Sequence, residues 1–431
     1  MMGWIRSSDR ERSLSIRLDF PRFLALDRAM RLLLFVVAFW GSLSSCARTS
    51  GYRQSEALTV ESLKNGVLLG HVEMDDQGDL ISDRQLRQVI DRIKSESREP
   101  MLLLIYIHGW NHNASGHWVS GDRDLQGFRE ALEKLGQATG QKTMGVFFSW
   151  RGRTLASFPV GVDYFHRHAA ALRVGGEAGV AALYELGMTA REANRGNRVV
   201  MVGHSLGGAI LESALGESMA AKVATASARG EPLKRRDFPA DLAISLNSAG
   251  SAIHARQLIT TFAERGIREV EGGPVLVSLT SRRDLVTGVF WPIGHFLGRY
   301  VPGFNWFNTG VAGQYRRESR KDRLAGTQRE AHRTTVGHFE ALFSHQYRKT
   351  GSEKRDLASI LRDNRAVRAG NGFLVKGEED VFLFSRRDLP CYNQTPYWII
   401  PVPGEFIRSH WDQWNGNFIA IMTSLISLLD E

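Results

Sequence analysis

The sequence predicts an α/β protein with a mostly parallel central sheet and helices on both faces of that sheet. Apolar runs of strand length alternate along the chain with segments whose apolar residues recur every three or four positions. Several of these runs, such as 101–107, are continuously apolar, which is typical of strands covered on both faces. A chain of 431 residues with 43% hydrophobic and 23% charged residues can bury a large globular core.

The predicted elements alternate along the chain. The stretch 83–95 carries Leu86, Val89, Ile90 and Ile93 on one helical stripe, and the run 101–107 ends at a His-Gly pair. Right-handed crossovers place the carboxyl ends of parallel strands, and any active site, along one rim. Strands are predicted at 67–73, 101–107, 143–148, 198–202, 242–246, 274–279, 380–385 and 397–402, and helices at 83–95, 128–135, 169–193, from 206, at 252–264 and at 416–429.

The N-terminal region has the pattern of an export signal. Arg28 and Arg31 precede an apolar run at 32–40, which small residues follow up to Cys46. The run is shorter than the roughly 20 residues that a membrane-spanning helix needs. Segment 43–46 also resembles the lipobox of bacterial lipoproteins, which implies that Cys46 is diacylated and becomes the mature N-terminus. An uncleaved anchor, an ordinary signal and a buried core segment are the alternatives.

These features predict how the N-terminal part of the chain is divided. Residues 1–46 form a signal peptide with an upstream extension, so that Met30 competes with Met1 as the start. The polar residues 47–63 form a tether to a domain at 64–431. The protein is then exported and anchored in a membrane, on the periplasmic side or at the cell surface. If Cys46 carries lipid, Cys391 has no intrachain disulfide partner.

The regular alternation breaks at about 286–380, where an inserted lid or cap is predicted. Its basic residues form either a solvated face or a contact with anionic lipid heads, and the net charge of +9 favours anionic surfaces in general. Its aromatic residues either line an acyl pocket or form the core of the cap, the second being favoured. They are Phe290, Trp291, Phe296, Phe304, Trp306 and Phe307.

One candidate nucleophile lies in the segment Gly203-His204-Ser205-Leu206-Gly207. A Gly-x-Ser-x-Gly match alone is weak, but this serine directly follows an apolar strand and directly precedes a helix, which is the setting of a nucleophile elbow. Such a turn is strained, and small residues two positions before and after the serine let strand and helix approach closely. A glycine-rich helix start with a capping serine is the alternative.

This arrangement resembles the α/β-hydrolase superfamily of serine esterases and lipases, from about Gly66 to the C-terminus. The resemblance implies an oxyanion hole, because the His-Gly pair at 108–109 is similar to the loop that supplies one of its donors. The implied donors are the backbone N–H groups of Trp110 and Leu206. An ordinary turn at the end of a strand is the alternative for 108–109.

The family order of catalytic residues is serine, acid, histidine. Asp284 follows the strand 274–279 in a polar turn at the expected rim, whereas Asp241 precedes a strand and competes poorly. His410 follows the last strand and precedes the final helix. His338 and His345, both in the insertion, are the alternatives for the histidine.

The predicted activity is that of a serine hydrolase that cleaves an ester-like substrate through a Ser-His-Asp triad and an acyl-enzyme. A lipid-anchored, non-catalytic binding or scaffold protein with the same fold is the alternative. No zinc or phosphate-loop motif occurs, and the acidic cluster at 75–79 lacks the later glutamate of a calcium loop, so neither metal nor cofactor is predicted. The expected partners are a small-molecule or lipid ester and, through the lipid anchor, a membrane; no nucleic acid is expected.

Overall fold

An eight-stranded sheet forms the centre of the computed structural model, which describes residues 58–115, 123–154, 162–266, 270, 273–293, 322–351, 356–367, 372–387 and 395–429. The strands are β1 Val60–Ser62, β2 Leu68–Glu73, β3 Met101–Ile107, β4 Lys142–Ser149, β5 Arg198–His204, β6 Leu242–Leu246, β7 Leu276–Ser281, β8 His345–Gly351, β9 Gly372–Lys376, β10 Val381–Arg386 and β11 Tyr397–Val402. The strand order in the central sheet is β1-β2-β4-β3-β5-β6-β7-β11.

The sheet is parallel from β2 to β11. Leu103 in β3, for example, lies opposite Met144 in β4 and Val199 in β5. β1 alone pairs antiparallel, along the edge of β2. The predicted tether 47–63 is therefore wrong at its end, because its residues 60–62 form this edge strand. The predicted mostly parallel sheet is confirmed.

Helices cover both faces of the sheet. The helices are α1 Asp83–Glu96, α2 Arg123–Thr139, α3 Val162–Val174, α4 Glu177–Ala193, α5 Leu206–Arg229, α6 Ala252–Glu264, α7 Gln328–His332, α8 Leu357–Val367 and α9 Gly416–Ser427. On one face, Leu103 and Ile105 of β3 share a core with the apolar residues of α1, α4, α5 and α6. On the other face, Leu102 and Leu104 share a core with those of α2 and α9. The predicted α/β class is confirmed and is consistent with an α/β-hydrolase fold.

The long helix predicted at 169–193 is two helices. α3 ends at Val174, and α4 begins after Gly176, whose backbone is extended with φ −83° and ψ −159°. Two consecutive glycines, at 175 and 176, separate them. Glycine has a low helix propensity because it loses more backbone freedom than other residues on entering a helix.

The strand predicted at 380–385 is present, but it does not belong to the central sheet. β10 pairs antiparallel with β8 on one side and with β9 on the other, which makes a separate three-stranded sheet. Phe382 and Phe384 of β10 join the core on the α2 and α9 side of the central sheet. Since β8, α8 and β9 fall inside the predicted insertion at 286–380, the small sheet is built mainly from it. The lid role stays a prediction.

The signal peptide, Cys46 and Cys391 lie outside the described residues. Four of the aromatic residues of the predicted insertion also lie outside the described residues: Phe296, Phe304, Trp306 and Phe307. Export and lipidation therefore stay predictions. Within the described part of the chain, no helix combines the length and apolar character that crossing a membrane requires.

Candidate active site

Ser205 occupies a strained turn between β5 and α5. Its φ of 55° and ψ of −117° lie where side chains are rarely accommodated, and such a conformation costs about 1–3 kcal/mol unless its surroundings hold it. Two backbone hydrogen bonds hold it here: Ser205 N donates to Leu246 O at 3.0 Å, and Ala249 N donates to Ser205 O at 3.0 Å. The turn is thus tied to the end of β6 and the loop that follows it.

The glycines that flank this turn are required by close packing. A Cβ atom on Gly203 would lie 2.4 Å from the carbonyl oxygen of Gly207, and one on Gly207 would lie 2.1 Å from the carbonyl oxygen of Ile107. Real Cβ atoms do not approach backbone oxygens so closely. Any side chain at either position would therefore push β5, α5 and β3 apart and displace Ser205.

The structure brings the three predicted catalytic side chains together. The distance from Ser205 Oγ to His410 Nε2 is 2.8 Å, and His410 Nδ1 lies 3.0 Å from both carboxylate oxygens of Asp284. The three residues are at most 3% exposed. In this arrangement His410 can accept the hydroxyl proton of Ser205, while Asp284 keeps the Nδ1 proton in place and stabilises the charged ring.

Asp284 is held as an ionised carboxylate by several donors. Val286 N donates to Oδ1 at 2.9 Å, Thr287 N donates to Oδ1 at 3.3 Å, and the Thr287 hydroxyl donates to Oδ2. Burial raises the pKa of Asp284, but the hydrogen bonds and charge of His410 and the hydrogen bonds of Thr287 outweigh it. The pKa therefore lies below its usual value.

The backbone of His410 is fixed from two sides. Its carbonyl oxygen accepts from His204 Nε2 at 2.8 Å and from Asn247 Nδ2 at 3.5 Å. Burial, followed by the charge of His410, lowers the pKa of His204 to about 3, so its ring is neutral. Because a carbonyl only accepts, the single proton of this neutral ring lies on Nε2.

The competing residues lie elsewhere or have other partners. Asp241, at the opposite rim, binds Arg191 at 2.9 Å and accepts from Val199 N at 2.8 Å. His345 contacts the Ser344 hydroxyl at 2.9 Å. His338 does reach the site, but its Nε2 lies 3.2 Å from Thr287 Oγ1. It therefore reaches His410 only through Thr287 and Asp284, over three hydrogen bonds.

Both predicted oxyanion donors lie at the turn. Leu206 is the first residue of α5, where a backbone N–H has no partner inside the helix. The loop that carries Trp110 packs on the elbow, since a Cβ on Gly109 would lie 2.9 Å from Ser205 Cβ. Among the described residues, neither backbone N–H donates to an acceptor. Their oxyanion role stays a prediction.

Sequence reasoning missed three residues of this site. Thr287 donates a hydrogen bond to Asp284, and Asn247 donates one to the backbone carbonyl of His410. The sequence signals for them were a threonine three positions after the acid and an asparagine at the end of a strand. Trp411 is 43% exposed, and its ring centre lies 4.8 Å from that of His410 and 6.2 Å from that of Trp110. No group of residues in the described ranges is arranged to hold a metal ion.

Comparison with known proteins identifies no family for this chain. No family model matches it, and no curated protein matches it. A solved structure of Trichoderma reesei cutinase in complex with a C11Y4 phosphonate inhibitor is similar at 12% sequence identity with a TM-score of 0.19. That match covers 39% of this chain and 65% of the cutinase chain, so the chain spans just under two thirds of its length. At this TM-score the likeness assigns no activity.

Proposed function

We propose that the protein is a serine hydrolase that cleaves carboxylic esters through an acyl-enzyme. One observation carries the proposal: a buried series of hydrogen bonds runs from Ser205 Oγ through His410 to Asp284 and starts at a strained turn. Backbone strain at a buried serine whose hydroxyl contacts a histidine favours a functional role over a structural one.

The chemistry follows from the positions of the side chains. Ser205 Oγ attacks the ester carbonyl carbon while its proton moves to His410 Nε2. The N–H groups of Trp110 and Leu206 stabilise the oxyanion, and the alcohol leaves with the proton from His410. A water molecule then attacks the acyl-enzyme, giving its proton to His410, which returns a proton to Ser205 Oγ as the acid is released.

The apolar surface beside the triad favours an ester with an apolar acyl or alcohol part, including a lipid ester. Leu285 and Phe290, which follow Asp284 closely in the chain, are 61% and 64% exposed. Trp411, which follows His410, adds a partly exposed aromatic ring against the imidazole of His410. Anchoring through a lipid on Cys46, as proposed from the sequence, keeps such a site near a membrane surface.

A fluorophosphonate activity probe tests the proposal directly. The probe is expected to label the full-length protein at Ser205, because the hydroxyl is activated by His410 and phosphonylation mimics the acylation step. Mass spectrometry of the labelled peptide identifies the modified residue. Failure of the folded protein to label points instead to a lipid-anchored binding or scaffold protein.

Two variants complete this test. Ser205→Ala is expected to abolish labelling. Ser278→Ala is the matched control, because Ser278 is fully buried in β7 and its hydroxyl has no hydrogen-bond partner in the described part of the chain. This control is expected to label like the wild type. Equal labelling of Ser205→Ala and wild type rules out Ser205 as the nucleophile.

Thr287→Val tests whether the Thr287 hydroxyl supports the function of Asp284. The substitution keeps the shape but removes the hydroxyl that donates to Asp284, and a hydrogen bond to a charged group typically contributes about 1.5–3 kcal/mol. We expect kcat for an ester to fall about tenfold or more. We also expect the acidic limb of the plot of kcat against pH to change. Thr287→Ser, which keeps the donor, is expected to retain most of the activity. A Ser variant as impaired as the Val variant rules out this role.

A further inference from the structure

A cavity of about 400 Å³ lies beside α5, and none of the triad residues lines it. It begins at Ala209, one helical turn after Ser205, and is bounded on other sides by α3, α6 and Trp291. Its volume falls in the range of roughly 300–1,000 Å³ that small-molecule sites occupy. A well-packed core leaves few voids larger than a water molecule, so this space requires an explanation.

Small residues on one stripe of α5 create the space. The stripe consists of Ala209, Ser213, Gly216 and Ala220, at three- and four-residue spacings. A Cβ added to Gly216 would meet no atom within 4 Å. The facing wall is largely apolar, with Leu172 of α3 and Leu258 of α6. The cavity therefore suits a ligand with an apolar body.

Glu212 supplies the principal polar group in this wall. Its carboxylate accepts from the hydroxyls of Ser245, of Ser248 at 2.8 Å and of Tyr397 at 3.3 Å. Three donors from the central sheet and the loop after β6 thus hold the carboxylate in one position. Burial raises the pKa of Glu212 to about 7, against the opposing effect of the three hydroxyls.

The charges that face the cavity are negative. Glu212 and Glu217 line it, and no lysine or arginine occurs among its described lining residues. Three further titratable groups complete the lining: Tyr397, His254 and His168. Burial lowers the pKa of His168 to about 4 and raises that of Tyr397 well above its usual value, so both are neutral at pH 7. A cationic ligand is therefore favoured over an anionic one.

We propose that this cavity binds a small organic ammonium ion with an apolar body, whose N–H groups donate to Glu212. The site is separate from the triad and goes beyond the hydrolase activity proposed above. The apolar part of the ligand packs against Leu172 and Leu258. Burial of that part in a preformed apolar cavity provides affinity, and Glu212 provides the preference for charge.

Binding is tested with three probes of similar size on the full-length Ser205→Ala protein, which lacks the proposed nucleophile. The probes are phenethylamine, 2-phenylethanol and 3-phenylpropionate, titrated by calorimetry or by ligand-observed NMR. The amine is expected to bind at least about tenfold more tightly than either other probe. Its affinity is expected to rise as the pH increases through about 7, because Glu212 ionises while the amine stays protonated.

Two variants distinguish the effect of the Glu212 charge from the effect of the cavity volume. Glu212→Gln removes the charge at nearly constant size and is expected to weaken amine binding about tenfold while leaving the alcohol unchanged. Gly216→Leu places a large side chain in the cavity, where a Cβ at this position meets no atom within 4 Å, and is expected to abolish binding of all three probes. Ala221→Leu introduces the same side chain at an exposed position of α5 and is the control. Circular dichroism establishes that each variant is folded.

Three results overturn the proposal: equal affinity for amine and propionate, an amine affinity that Glu212→Gln leaves unchanged, or amine binding that survives Gly216→Leu. Absence of amine binding at millimolar concentration overturns it as well. None of these bears on Ser205, since binding is measured without turnover. A protein that binds the amine but resists the fluorophosphonate probe would retain this site and lose the proposed hydrolase function.

Discussion

Ser205→Ala is expected to lower kcat for an activated ester by roughly 10⁶-fold, the order of magnitude found when the nucleophile of a serine protease is removed. The reason is structural. Ser205 Oγ is the atom that His410 Nε2 approaches at 2.8 Å, and alanine leaves His410 without a proton to accept. Steady-state kinetics with a p-nitrophenyl ester measure the effect. Any residual rate reports the oxyanion donors and substrate binding alone.

Ser278→Ala serves as the control for this change as well. It deletes a buried hydroxyl of the central sheet, so a general loss of stability on serine removal would lower the activity of both variants. We expect kcat of Ser278→Ala to stay within about twofold of wild type and its Tm to stay the same or rise, because a buried polar group without a partner is removed. Comparable rates for wild type and Ser205→Ala would contradict the mechanism.

Asp284→Asn is expected to lower kcat by about 10⁴-fold, the magnitude seen when a triad aspartate becomes an amide. The carboxylate accepts the Nδ1 proton of His410 at 3.0 Å, which leaves Nε2 free to take the proton of Ser205. An asparagine can donate to Nδ1 and so favours the opposite tautomer. Kinetics of the folded variant, with the same ester, measure the loss.

Asp241→Asn is the control for loss of a buried carboxylate. Asp241 pairs with Arg191 at the opposite rim, so its substitution is expected to lower Tm because it weakens a buried ion pair. The kcat of the folded Asp241→Asn protein is expected to stay close to wild type. A similar drop in kcat for both variants would show that the effect of Asp284→Asn reflects damaged folding rather than the triad.

The stability of the protein at acidic pH gives a second measure of the ionisation of Asp284. Its pKa in the folded protein lies below the usual 3.8, so on acidification the unfolded chain takes up this proton before the folded chain does. The stabilisation that ionised Asp284 provides is present above about pH 4 and is lost as the pH falls through its folded pKa. The difference in Tm between wild type and Asp284→Asn should therefore change over that acidic window.

The buried strands could be predicted closely from the sequence. The apolar runs at 101–107, 242–246 and 397–402 coincide with β3, β6 and β11, because strands covered on both faces tolerate few polar residues. The candidate triad was accessible for a related reason. Ser205 directly follows β5, Asp284 lies in the turn after β7 and His410 lies in the loop after β11. The carboxyl ends of parallel strands meet at one rim.

Other features depend on pairing that no local pattern records. β1, with the sequence Val-Glu-Ser, is too short and too polar to be seen, and it exists because β2 offers an edge. β10 has an ordinary strand pattern, but only its partners β8 and β9 assign it to a separate sheet. The hydrogen bond from Thr287 to Asp284 likewise depends on a local backbone turn.

The spacing of the candidate triad along the chain has a consequence for biosynthesis. Ser205 and His410 are 205 positions apart, and His410 and Asp284 are 126 positions apart. His410 lies in the loop after β11, so the site assembles only when the last strand has joined the edge of the sheet at β7. Contacts so distant in sequence form late and slowly. A growing or truncated chain that ends before β11 therefore lacks the complete site, and hydrolysis reports a fully folded molecule.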